Sequence, residues 1–164
     1  MKYILTVLFC ALFVSPLYSA QPQELFYIAR SKNANIVRYD ALMDSGGNIA
    51  QKKPIDAYWI LLAKDGNREE LSAFDKKAYG YKCTFDQNSN NYQLIVESFA
   101  KRPIKVYQEG KGARAEIIIN SQPAYLEKIF ISATSTMLIP KVHSIELFGK
   151  DKKTGAPAYE KIAM

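Results

Sequence analysis

The chain has 164 residues, 48% of them hydrophobic and 23% charged, with a formal net charge of +6. That length fits one ordinary domain with a sizeable core, and that composition excludes extended disorder. The positive balance is spread along the chain and forms no charged tail, which argues against a polybasic arm.

Residues 1–20 have the layout of a secretory signal peptide. Met1-Lys2 is a basic start, Tyr3 to Val14 is an apolar run, and Ser15-Pro16 breaks it. Leu17-Tyr18-Ser19-Ala20 then precedes the polar Gln21-Pro22-Gln23. The run is too short to span a bilayer. We expect cleavage after Ala20 and a single β-rich domain over 21–164, without a transmembrane span, in the periplasm or at the cell exterior. Lipidation at Cys10 fits less well, because bulky Phe9 stands where a small residue is expected. Cleavage leaves Cys83 as the sole cysteine, so no internal disulfide is available and stability must come from core burial.

The remaining sequence reads as short β-propensity runs separated by turn clusters. The first two strands are expected at 25–31 and 36–43, joined by the polar Ser31-Lys32-Asn33-Ala34-Asn35. Asp44-Ser45-Gly46-Gly47-Asn48 is a turn. The strand at 55–63, IDAYWILLA, has apolar residues on both faces, so it should be central or covered on its outer side. The covering element is expected next, as a helix over 68–78. Leu71, Phe74 and Ala78 there form an apolar stripe, Glu69 and Glu70 lie near its start, and Lys76 and Lys77 near its end. Further strands follow at 81–86, 92–99, 104–109, 113–120, 124–134, 141–148 and 158–162. Tyr81, Cys83 and Phe85 should point inward, and Gly110-Lys111-Gly112 should make a hairpin. About eight or nine strands and one helix predict a mainly β fold, either an antiparallel meandering barrel or a bent two-sheet sandwich.

Several stretches, in order, carry a resemblance: FYIARSKNANIVRYD at 26–40, YWI at 58–60, AYGY at 78–81, LIPKV at 138–142, IELFGKD at 145–151, TG at 154–155 and YEK at 159–161. Together they resemble the uncharacterised secreted-protein family known as domain of unknown function 4833. The resemblance implies one secreted domain of unestablished function and supplies no catalytic residues.

Arg30, Lys32 and Arg38 place positive charge near the first hairpin, where they could bind an anionic head group or a carboxylate; Arg suits bidentate contacts. Strand alternation separates these cations, and a charged hairpin tip explains them as well. Asn33 and Asn35 could orient a ligand, although Asn at such positions commonly bonds its own backbone. Tyr58, Trp59, Tyr79 and Tyr81 could line a pocket or serve as core. Lys101, Arg102, Lys105, Lys111 and Arg114 are the densest basic stretch; an extracytoplasmic destination argues against nucleic acid.

His143 is the only histidine, and adjacent Ser144 should face the other way on a strand, which weakens a hydrolytic arrangement. One histidine and one mature cysteine argue against zinc. No Gly-rich phosphate loop occurs, so no cofactor is expected. The sequence therefore favours a monomeric, non-enzymatic β-domain that binds a small molecule or an anionic envelope component. The competing readings are a hydrolase using scattered Ser, Asp, Glu or His side chains, and an interaction module that uses a sheet edge.

Overall fold

The structure is a computed structural model that describes residues 21–134 and 141–164. The expected signal peptide, Cys10 and Leu138-Ile139-Pro140 lie outside the described residues. The fold is mainly β, a single sheet of eleven strands among the described residues, curled into a half-barrel.

The strands are β1 (Gln21–Arg30), β2 (Asn33–Met43), β3 (Ile55–Leu61), β4 (Asn67–Glu70), β5 (Tyr81–Asp86), β6 (Asn91–Val96), β7 (Ile104–Glu109), β8 (Gly112–Ile119), β9 (Gln122–Thr134), β10 (Lys141–Asp151) and β11 (Pro157–Ala163). One short helix, α1 (Lys76–Tyr79), lies between β4 and β5. The sheet runs β4-β3-β2-β1-β9-β8-β7-β6-β5, while β10 pairs with β9 and with β11.

β9 is the hub of this arrangement. One edge pairs with β10 along almost its whole length. The other edge is shared: Gln122–Tyr125 pairs antiparallel with β8, and Lys128–Ile131 pairs parallel with β1. Two meanders, β1 to β4 and β5 to β8, therefore leave one strand and curl around a common interior. The β1–β9 pair departs from the expected all-antiparallel order.

Side-chain alternation fills that interior. Phe26, Ile28, Val37, Tyr39, Ile55 and Trp59 come from one meander; Leu94, Val96, Ile104, Val106, Ala115 and Ile117 come from the other; and Leu126, Ile129, Ile145 and Leu147 come from β9 and β10. Phe26 stacks on Tyr39 at 4.6 Å between ring centroids. The Tyr39 hydroxyl donates to the Tyr79 carbonyl at 2.6 Å, and the Tyr81 hydroxyl to the Ile55 carbonyl at 2.6 Å. These bonds anchor the end of α1 and the start of β5 to the first meander.

Three further expectations need correction. The helix over 68–78 is not formed: Asn67–Glu70 is strand β4, paired with Leu61 to Tyr58 of β3. Only Lys76–Tyr79 is helical. Leu71 is buried, but Phe74 is 77% exposed, so the expected apolar stripe never forms. The physical reason is non-local. The open edge of β3 offers backbone partners to Asn67–Glu70, and this pairing overrides the helical pattern. The outer side of β3 is covered instead by the Arg68 guanidinium, 3.8 Å from the Tyr58 ring centroid.

The first turn is also tighter than expected. Arg30 pairs with Asn33, so only Ser31-Lys32 turns, with Lys32 at φ 61°, while Asn33 and Asn35 belong to β2. Phe85, expected inward, is 49% exposed. The remaining boundaries agree with expectation to within a few residues, and the β7–β8 hairpin turns at Gly110-Lys111.

Candidate ligand-binding site

The residues singled out in the sequence separate onto two faces of the first meander. Arg38 and Tyr58 are cross-strand partners on the face directed away from the main core. Both engage Asp40, which is fully buried. Arg38 Nε donates to Asp40 Oδ1 at 2.7 Å, and the Tyr58 hydroxyl donates to Oδ2 at 2.6 Å. Glu24 adds a second carboxylate 3.2 Å from Arg38. Burial, and then the Asp40 carboxylate, push the Tyr58 phenol up to about 12. Beside this group, Asp56 receives Lys53 and Arg68, each at 2.7 Å. Arg38 Nε and Nη1 and the Tyr58 hydroxyl are thus engaged within the protein.

Arg30 and Trp59 share the opposite face. The bond pattern that aligns Val37 with Trp59 and with Ile28 carries Phe26, Ile28 and Arg30 inward in alternation. The Arg30 guanidinium carbon lies 5.4 Å from the Trp59 ring centroid and 6.0 Å from that of Tyr79. Trp59 and Tyr79 meet edge to face at 5.3 Å. Two buried rings therefore hold the cation by attraction to their faces.

Asp75 lies on the flank of this group. Burial alone would raise its carboxyl pKa, but the Ser72 hydroxyl, the Trp59 indole and the Arg30 charge hold it below the usual range. Ser72 and Asp75 also exchange bonds: the Ser72 hydroxyl donates to Asp75 Oδ2 at 2.6 Å, and Asp75 N donates back to Ser72 Oγ at 3.1 Å. This reciprocal pair fixes the turn that leads into α1.

Arg38, Arg68, Arg102 and Arg114 each form an ion pair with a carboxylate. Arg30 forms none among the described residues. Lys32 is exposed at the turn. Asn33 Oδ1 accepts from Asn35 N at 2.9 Å, a local backbone bond of the kind expected. The Asn35 side-chain oxygen is buried and receives no hydrogen bond. Asn35 lies beside the register shift that separates the Ile28–Val37 pair from the Arg30–Asn33 pair. Tyr81 lies elsewhere, on a cleft of about 360 Å³ with Asp56, Glu70 and Lys76. Burial raises its phenol to about 12.

His143 is exposed, and its Nε2 stands 3.3 Å from Thr134 Oγ1. Among the described residues no serine and carboxylate join it. No group of three His, Cys, Asp or Glu side chains could hold a metal ion among those residues. No described helix is long and apolar enough to cross a membrane.

Asp40 and Asp75 were not found from the sequence. Asp40 carries one signal, a carboxylate in the centre of an apolar strand, which calls for a partner. Asp75 carries the Ser72-x-x-Asp75 spacing of a capping pair, but its Trp59 and Arg30 neighbours come from β3 and β1 and leave no local signal.

The fold and this face define a curled mainly-β domain with an aromatic-seated arginine at the end of its first hairpin. The chain belongs to the family Domain of unknown function (DUF4833), whose model matches residues 26–161. No curated protein and no solved structure matches it.

Proposed function

We propose that this protein is a secreted, non-enzymatic domain that binds a small anionic molecule, or an anionic group of the cell envelope, through Arg30. One observation carries the reading: Arg30 is the arginine without an ion pair among the described residues, and it is held by Trp59 and Tyr79. Placing a guanidinium on two buried rings fixes its plane before a ligand arrives. Such preorganisation favours bidentate capture of a carboxylate or phosphate. The buried, unpartnered Asn35 oxygen of the same hairpin adds an acceptor, suited to a donor on the ligand. The layout of residues 1–20 supports export, with a mature N-terminus at Gln21.

The test uses the chain's single tryptophan. Trp59 touches Arg30, so its fluorescence should respond when an anion engages the guanidinium. Titration with glucuronate and with inorganic phosphate should give a saturable change that weakens with salt. Arg30→Ala should weaken binding by about tenfold or more. Native mass spectrometry of protein purified from its host should find a retained anionic adduct and a chain that starts at Gln21. A flat fluorescence titration with both probes, together with an adduct-free mass, would overturn the binding reading. A chain that still carries residues 1–20 would overturn the export reading.

A further inference from the structure

A second cleft, of about 520 Å³, opens where the turn after β2 meets the tip of the β5–β6 hairpin and the face of β7. We propose that it binds a neutral polyhydroxylated ligand, a saccharide. The inference is independent of Arg30.

The lining carries the argument. The side chains of Asn48, Gln51, Gln87 and Asn90 present four carboxamides to the cleft. None of these carboxamides forms a hydrogen bond within the described protein, so their donors and acceptors are free. Phe85 and Tyr92 supply aromatic surface. No Asp, Glu, Lys, Arg or His lines the cleft, although the chain carries a net charge of +6. A charged ligand would find no counter-ion here.

A hydroxyl group both donates and accepts, and a carboxamide offers both functions on one planar group. The C–H face of a pyranose is apolar and matches a ring face. Few convergent polar groups around aromatic walls make a small-molecule site. Phe85 fits this role: it is 49% exposed and leans against buried Tyr92 at 5.0 Å between centroids. A large apolar ring left in water at a cleft wall is suited to covering by a ligand.

The walls are also braced. Gln108 Nε2 donates to the Gly47 carbonyl at 2.7 Å and to the Gly110 carbonyl at 2.8 Å, while its Oε1 accepts from Ile49 N at 3.0 Å. One side chain thus fastens the turn bearing Asn48 to β7. In the opposite wall Asp86 accepts from Asn88 N at 3.0 Å and from the Ser89 hydroxyl. Asn91 Nδ2 donates to the Ser89 carbonyl at 3.1 Å. The loop holding Gln87 and Asn90 is therefore shaped before binding, which lowers the entropy lost on association.

The experiment is a titration of the purified, 15N-labelled protein with maltotriose, cellotriose and tri-N-acetylchitotriose, read on the side-chain amide resonances. At least one sugar should shift a small set of carboxamide signals saturably. The double substitution Gln87→Ala with Asn90→Ala should remove part of that set. Phe85→Ala should weaken binding by about tenfold, with the amide spectrum otherwise native. Arg30→Ala should leave sugar affinity unchanged, which separates this cleft from the anion site. No saturable shift with any of the three sugars overturns the proposal. So does binding that survives loss of Phe85, or binding that requires Arg30.

Discussion

Asp40 shows how one side chain can decide what its neighbours do. It is fully buried on the outer face of β2, with both carboxylate oxygens bonded, one to Arg38 and one to Tyr58. A buried carboxylate is tolerated only when it is so matched, and removing one member leaves the others unpaired. Asp40→Ala should therefore cost on the order of 3 kcal/mol, read as a lowered midpoint in urea. A loss below about 1 kcal/mol would mean that water replaces the carboxylate there. The same network explains why the cations near the first hairpin have different roles. Arg30 and Arg38 look equivalent as residue types. Only the partners supplied by β2 and β3 divide them into a seated, ion-pair-free arginine and a structural one.

Among the elements, β9 bears the strongest constraint, because three strands share its two edges. At the bulge between Phe148 and Gly149, β10 comes so close that a Cβ on Gly149 would lie 2.1 Å from the Tyr125 carbonyl oxygen. Only backbone movement in the hub could relieve that contact. Gly149→Ala should lower stability by at least about 2 kcal/mol, seen as a reduced melting temperature and poorer soluble yield. Near-native melting would show that the β9–β10 ladder yields easily. Ser31 secures the same hub from the hairpin side: its hydroxyl donates to the Ala133 carbonyl at 2.7 Å and accepts from Ala133 N at 2.9 Å. The motif residue Ser31 thus has a structural task, tying the first turn to a strand about a hundred residues later.

Across the whole molecule, ion pairs tie strands that are distant in sequence. Arg102 donates two parallel hydrogen bonds to the carboxylate of Glu160 in β11, at 2.7 and 2.6 Å. The Arg102 guanidinium, aided by the Asn120 amide, holds the Glu160 carboxyl below its usual range despite partial burial. At Asp56 burial acts upward, but Lys53 and Arg68 outweigh it and lower the carboxyl. A carboxyl whose folded pKa is depressed contributes stability above its unfolded pKa. That contribution is lost as pH falls through the folded value. Melting temperature should be nearly flat above about pH 5 and should fall as the pH drops below about 4. Glu160→Gln should lower the plateau and make the acid decline shallower. A variant as acid-sensitive as the parent would show that other carboxyls control the decline.

Strand positions and most turns were legible in the sequence because alternation and turn chemistry are local. Tyr81–Asp86 and Ile104–Glu109 were bounded as they stand, since each lies between strong turn signals. The same local logic failed at Asn67–Glu70, where helical spacing yielded to the unpaired edge of β3. It failed again at Phe85, which alternation directed inward and the end of the sheet left at a cleft wall. Arg30 and Trp59 were each nameable as site candidates, but their contact depends on the register across β1, β2 and β3. The sequence by itself determined a mainly β chain with this family's ordered motifs, because those properties are written in neighbouring residues. Only the tertiary structure decided the parallel β1–β9 join, the separation of Arg30 from Arg38 and the amide-lined cleft. Each of these depends on which distant backbone edges found one another, and no local pattern encodes that pairing.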